Sequence, residues 1–258
     1  MKRKWFAYPY IVWMIGFILV PMLLIVYYAF VSDSGFTVEN LLWSVKGENM
    51  IVLADSVRLA LYTTVICLLL GYPVAYILSN MKKSTAGLIS IFFVVPMWMN
   101  TLLRTYAWKV LLTNYTNILY TETAVLLGMV YNYLPFMILP IYTVLIELDK
   151  SYLEAAQDLG ATPAKTFAKV VLPLSMPGIV SGITMVFVPS VSTFYISQQL
   201  GPTDFVLIGD VIESSIKSSA GVYNYGSAIS CVLMILIFIC LAVMNHFSDD
   251  SVDGGMLV

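Results

Sequence analysis

Six stretches of this chain contain no Asp, Glu, Lys or Arg: Trp5 to Ser32, Leu59 to Met81, Ser84 to Leu103, Thr123 to Ile146, Val170 to Thr203 and Ser218 to Ser248. A helix that crosses the hydrocarbon of a bilayer needs about 20 mostly apolar residues. Six runs of that order are more apolar surface than a water-soluble core of this size can hide. Across its 258 residues the chain is 60% hydrophobic and only 11% charged, against about 25% charged in a soluble domain. Helices are the expected spanning form, because each satisfies its own backbone hydrogen bonds inside lipid. A barrel would show alternating segments of about ten residues instead.

The reading is therefore an all-α membrane protein of six transmembrane helices, with spans near 9–31, 57–79, 86–111, 124–146, 176–199 and 225–247. The third must run past Arg104 to be long enough. The first follows Lys2, Arg3 and Lys4. Its apolar run is too long for the core of a signal peptide, so a retained anchor is expected. Three regions follow: 1–56 as anchor helix and outer loop, 57–247 as core, 248–258 as tail.

A net charge of −2 leaves no cationic footprint for nucleic acid, and such hydrophobicity excludes a disordered chain. Cys67, Cys231 and Cys240 sit in apolar runs with no C-x-x-C pair, and the chain has one histidine. No zinc or disulfide framework follows from that spacing.

With the N-terminus inside, the inner segments hold eight bases: Lys2, Arg3, Lys4, Lys82, Lys83, Lys150, Lys165 and Lys169. The outer side holds five: Lys46, Arg58, Arg104, Lys109 and Lys217. The bias favours both termini in the cytoplasm. Eight acids lie outside against those five bases, including Asp204, Asp210 and Glu213. That excess reads as a solvated loop surface or as a mouth suited to cations.

The inner loop between spans four and five, residues 147–175, has a grammar of its own. Ser151 and Glu154 have capping-box spacing, which predicts a helix from Tyr152. Ala155 and Ala156 leave a face with little bulk, and Gly160 suits the left-handed residue that ends a helix. Thr162 then caps a second helix with Pro163 at its first position, and Pro173 is expected to interrupt it before span five. A stiff, capped projection of this kind suggests that something docks on it.

These residues carry a resemblance. Glu154-Ala155-Ala156, Gly160, Val170, Leu172 and Pro173 match the pattern E-A-A-x3-G-x9-I-x-L-P, with valine in place of isoleucine. The chain thus resembles the permease subunits of binding-protein-dependent ABC importers, of the type I fold, over roughly 57–247. Asn100-Thr-Leu-Leu-Arg104-Thr-Tyr106-Ala-Trp108, Val186-Phe-Val-Pro189-Ser190, Gly201-Pro202 and Ile208-Gly209-Asp210 are similar to the spermidine/putrescine branch.

The resemblance implies an importer driven by a separate ATPase, in which this chain is not itself an enzyme and carries no cofactor. ATP and Mg would sit in a PotA-like ATPase dimer. A PotC-like permease would complete the path and a PotD-like binding protein would deliver solute. The helix around Glu154, Ala155, Ala156, Leu159 and Gly160, with Pro173 behind it, would couple to the ATPase. Iron, sulfate or another organic solute is the alternative cargo.

The membrane residues support an external energy source. No acid lies mid-span, where a proton- or sodium-coupled carrier would show one. Arg58, Arg104 and Lys109 sit near outer span ends and read as snorkelling cations. Pro96, Pro135, Pro140 and Pro189 are expected to interrupt spans three, four and five. A polyamine would be held by aromatic faces and acids, which makes Trp98, Tyr106, Tyr131, Tyr195 and Asp210 candidates for the solute path; ordinary packing is the better account of any one of them. His246 stands alone, and the chain has no H-E-x-x-H, G-x-S-x-G or P-loop, which argues against an intramembrane enzyme. Tyr195→Ala is expected to slow spermidine uptake without affecting membrane insertion; uptake at the unaltered rate would remove Tyr195 from the path.

Overall fold

A computed structural model describes residues 8–32, 35–217 and 223–254, with side chains from Tyr8 to Lys82, Ser84 to Lys217 and Tyr223 to Met244. The basic run Lys2, Arg3 and Lys4, together with Asp33 and the last four residues, lies outside the described residues, and the side chains of Lys83 and His246 are likewise not described.

Helices dominate. In chain order they are α1 (Tyr8–Ala29), α2 (Glu39–Ser44), α3 (Glu48–Ser79), α4 (Lys83–Trp98), α5 (Thr101–Tyr115), α6 (Glu122–Glu147), α7 (Lys150–Asp158), α8 (Pro163–Leu174), α9 (Met176–Val191), α10 (Tyr195–Leu200), α11 (Ile208–Lys217) and α12 (Tyr223–Gly254). A short antiparallel pair, Val31 opposite Phe36 and Ser32 opposite Gly35, closes the turn after α1. Among the described residues α1, α3, α6 and α12 are each long and apolar enough to cross a membrane, and two bent pairs, α4 with α5 and α8 with α9, supply the remaining spans.

Helices α3, α6 and α9 form the centre of the bundle and pack on one another. Their contact needs close backbone approach, because lipid supplies no hydrophobic drive between helices and packing must do the work. Gly178 and Gly182 stand one turn apart on α9 and meet α6. A Cβ at Gly182 would lie 2.7 Å from Met137 Sδ and 3.2 Å from its carbonyl oxygen, and one at Gly178 would lie 3.0 Å from the Ile141 Cα. Met137, Ile138 and Ile141 are fully buried behind them. Helix α12 lies outside this core and carries α1 on its outer side. None of the apolar window of α1 is buried within the chain.

Proline shapes the helices in a recurrent way. Each of two π-turns, Ile15–Leu19 and Phe167–Val171, is closed by the residue immediately before a proline. Val20 N–H donates to the Ile15 carbonyl ahead of Pro21, and Leu172 N–H donates to the Phe167 carbonyl ahead of Pro173. The five-residue register returns to four by Ser175, whose N–H reaches the Val171 carbonyl at 2.9 Å. The switch falls where proline has no N–H to place.

Several expectations change. The third span is not one rod: α4 and α5 meet at 95°. The break is extended backbone at Met99 and Asn100, and the Asn100 side chain starts α5 by accepting from Leu102 N–H at 2.7 Å. Span five ends at Val191, and the expected stretch to residue 199 is completed by the separate helix α10. Pro135 and Pro140 do not interrupt α6, which is continuous, and Pro189 stays inside α9. Helix α3 starts at Glu48 rather than near 57, and α12 runs on to Gly254. The break before α9 is a 62° bend at Ser175, two residues after Pro173.

Gly182→Val is expected to force α9 off α6 and to cost about 1–3 kcal/mol, the usual penalty of overpacking. A lower thermal inactivation temperature in detergent would register it. An unchanged temperature would contradict the close approach.

Candidate functional site

Two features lie at opposite ends of the bundle: the loop between α6 and α9, and a cavity between α10 and α11.

The loop begins with a cap, though not the expected one. Asp149 Oδ1 accepts from Ser151 N–H at 2.9 Å, so α7 starts at Lys150 and no box forms between Ser151 and Glu154. Asp149 competes better because a carboxylate accepts from backbone amides more strongly than a hydroxyl. The Ser151 amide holds the exposed Asp149 carboxyl below the usual carboxylate range. The other end follows the sequence. Gly160 has φ +75°, its N–H reaches the Gln157 carbonyl at 2.8 Å, and Ala161 N–H reaches the Ala156 carbonyl at 3.0 Å. These two bonds are a Schellman motif. Thr162 then caps α8 by accepting from Lys165 N–H at 3.4 Å, with Pro163 at the first position.

The projection is tied to the bundle from beneath. The Phe167 ring meets Tyr72 and Tyr76 of α3 edge-on, at 5.7 and 5.2 Å between centroids. The Tyr72 hydroxyl lies 2.9 Å from Ser175 Oγ, both groups buried, at the bend between α8 and α9. Neither Phe167 nor Ser175 stands out in the sequence, since one aromatic and one serine in an apolar run have no spacing to give them away.

The far face of α7 is left open. Tyr152, Ala155, Ala156 and Leu159 recur at helical spacing. Leu159 is 88% exposed and Tyr152 57%, Ala155 and Glu154 are exposed, and Ala156 is half-buried. Gly160 and Pro173 are exposed as well. An apolar stripe in water at the edge of a membrane protein costs free energy until a partner covers it. Tyr152 belongs to that stripe and was not among the expected coupling residues.

At the opposite end, Asp210 is 9% exposed. It sits in the first turn of α11, and its Oδ2 accepts from Leu207 N–H at 2.9 Å, capping the helix from within. Ser197 Oγ of α10 lies 2.8 Å from the same oxygen. Ile208 N–H donates to Ser56 Oγ of α3 at 2.8 Å, which fixes α11 to the core. Burial pushes the Asp210 carboxyl above the ordinary range, while the Leu207 amide and the Ser197 and Gln198 side chains pull the other way. A cavity of about 390 Å³ opens beside it, walled by Tyr120, Ser197, Gln198, Asp210, Glu213 and Ser214 among others.

The other expected path residues are scattered. Trp98 is 87% exposed and Tyr106 58%. Tyr131 packs edge-on to Trp108 at 5.3 Å in an apolar hollow of its own. Tyr195 is half-buried at the start of α10. Asp210 and Tyr131 therefore line different cavities. Arg104 does not snorkel: the 95° bend turns α5 back against α6 and α10, leaving Arg104 6% exposed and bonded to Thr101 Oγ1 at 3.2 Å. Lys109 donates to Gln199 Oε1 at 3.1 Å, and Arg58 bridges Asp55 and Glu122.

Residues 67–252 match the family model for the binding-protein-dependent transport system inner membrane component. The chain is 36% identical to the spermidine/putrescine transport system permease protein PotB of Haemophilus influenzae, over 90% of this chain and 88% of that one. It is 34% identical to PotB of Escherichia coli, over 90% and 92%. Among solved structures, a bacterial ABC transporter that imports the acidic polysaccharide alginate superposes with a TM-score of 0.77 over 96% of both chains at 14% identity. The methionine ABC transporter MetNI gives a TM-score of 0.59 at 18% identity, over 81% of this chain and 99% of that one. The chain belongs to the family of binding-protein-dependent transport system inner membrane components. Its fold is that of a type I ABC importer permease.

Asp149→Ala is expected to raise amide exchange across residues 150–153 about fivefold as the cap is lost, while Ser151→Ala leaves it within about twofold. The depressed carboxyl sets the sign with pH: the cap is complete above the ordinary carboxylate pKa and is lost as pH falls through the lowered one. Equal exchange in the two variants would return the cap to Ser151.

Proposed function

We propose that this chain is a permease subunit of an ATP-driven polyamine importer, taking spermidine and putrescine from an external binding protein. The observation that carries the cargo is the 34–36% identity, over nine-tenths of the chain, to permeases of spermidine/putrescine transport systems. Importers with the same fold and other cargoes, alginate and methionine among them, diverge much further in sequence.

The mechanism follows from stiffness. Helix α7 offers the stripe Tyr152, Ala155, Ala156 and Leu159 to a groove on an ATPase dimer, where ATP and Mg are bound. Glu154 sits on the exposed side beside this stripe, and the turn at Gly160 aims it. A push on α7 passes through α8, and the Phe167 contacts and the Tyr72–Ser175 pair carry it into α3 and α9. A floppy loop would absorb the movement. A second, homologous permease completes the path, and both termini lie in the cytoplasm on the side of α7. Trp98 and Tyr106 are exposed to whatever this partner and the lipid bring against them, Tyr131 packs on Trp108, Tyr195 is half-buried, and Asp210 lines a cavity of the chain itself.

The complex purified through this chain is expected to contain an ATPase, and Leu159→Asp to reduce its recovery at least tenfold, since a charge would be buried unpaired at the contact. Vesicles holding the assembled importer should take up labelled spermidine when binding protein and ATP are supplied on their proper sides. Uptake of sulfate or iron in place of polyamine would overturn the cargo; recovery of the ATPase with Leu159→Asp would overturn the docking face.

A further inference from the structure

The cavity between α10 and α11 has a demand that the chain does not meet. Asp210 is buried, and its Oδ1 has no hydrogen-bond partner. Its Oδ2 has two contacts and the Gln198 amide lies alongside the carboxyl, but two of these donors are shared: the Phe194 carbonyl, 2.6 Å from Ser197 Oγ, competes for its single hydroxyl proton, and Gln198 Nε2 also reaches Glu213. No cationic side chain among the described residues is within ion-pair reach of Asp210. A desolvated carboxylate in this state is stabilised by an arriving cation that brings its own N–H donors.

The walls fit an ammonium on a carbon chain. Glu213 stands one turn along α11 from Asp210, about 5–6 Å away between Cβ atoms. Gln198 Nε2 donates to Glu213 at 3.3 Å. Lys217 also binds Glu213; its side chain is 76% exposed and free to swing aside. It shows that this carboxylate takes an ammonium on a four-carbon stem. Tyr120 forms another wall, and the Lys109 ammonium lies 5.9 Å from its ring centroid, so the ring already serves as a cation platform.

We propose that this cavity is a polyamine-receiving site at the end of the bundle opposite α7, with the Asp210 carboxylate accepting one primary ammonium and Glu213 accepting a second. The assignment rests on the polyamine reading of the importer. It gives the solute a foothold on the permease at the side where a binding protein would release it, and it selects diamines over monoamines by the one-turn spacing of the two carboxylates.

The test uses the assembled importer in vesicles with labelled putrescine and spermidine. Asp210→Asn keeps an acceptor for Leu207 N–H and removes the charge; uptake at low substrate is expected to fall about tenfold or more, the loss of one charge-assisted contact. Ser214 is exposed on the cavity rim. Ser214→Lys places a tethered competitor there and Ser214→Glu an added acceptor, so the Glu variant is expected to import at least about threefold faster than the Lys variant, a difference in charge sign that a packing defect would not produce. Capture of the loaded binding protein is measured in parallel.

Wild-type rates in Asp210→Asn, or equal rates in the two Ser214 variants, would overturn the site while leaving the polyamine importer standing. Loss of binding-protein capture in step with uptake would assign the cavity to docking and overturn it as a solute site. A wild-type complex that imports no polyamine would remove both readings. Should Asp210→Asn fail to assemble, the Ser214 pair decides.

Discussion

The hydroxyl pair between Tyr72 and Ser175 is the point on which the two halves of this molecule depend. Ser175 stands where the chain turns by 62° from the projecting loop into the core helix α9. At such a bend the backbone alone is weak. A buried hydrogen bond of 2.9 Å to α3, backed by the Phe167 ring between Tyr72 and Tyr76, makes the bend a fixed angle. Buried polar pairs in low dielectric are costly to break. The proposed push on α7 would thus reach α3 and α9 together, and these are the helices that α6 holds at glycine distance.

The same molecule keeps its chemistry at the two ends. The central helices carry no acid or base in a position to drive transport, and their polar side chains bond mostly back to their own backbones, as Thr63, Thr64 and Ser190 do. On the proposed reading, energy enters by contact at the uncovered apolar stripe of α7 and charge recognition lies at the far rim. That division suits a subunit which neither hydrolyses nucleotide nor stores an ion gradient.

Much of this was legible from residue order. Charge-free runs located the apolar segments, though not the bend in the third or the break after Val191, and Gly160, Thr162 and Pro163 placed the turn and second cap of the loop, because each of these residues has a strong local preference that tertiary packing did not overrule. The misses were of two kinds, competing local caps and non-local packing. Ser151 and Glu154 have the right spacing for a cap, but Asp149 lay closer in chemistry to what the amide prefers. The 95° break after Trp98 depends on Asn100 capping a new helix inside an apolar run, which hydropathy cannot see. Arg104 reads as an interfacial cation until that bend folds it inward. Asp210 could be singled out as an acid, yet its burial, its bonds to Leu207 and Ser197 and the cavity beside it needed the fold.

The widened turn at Phe167 to Val171 also sets a length. Its closing bond spans five residues where an ordinary helix spans four. The stretch from Gly160 to Pro173 thus holds one residue more than a plain helix of equal reach. Removing a single residue there would let the helix tighten with both of its ends still in phase. Removing one from α7 or α9 would instead rotate a whole face away from its neighbour by about 100°. Within the loop, tolerance to a one-residue deletion is expected at the turn that already carries a spare residue.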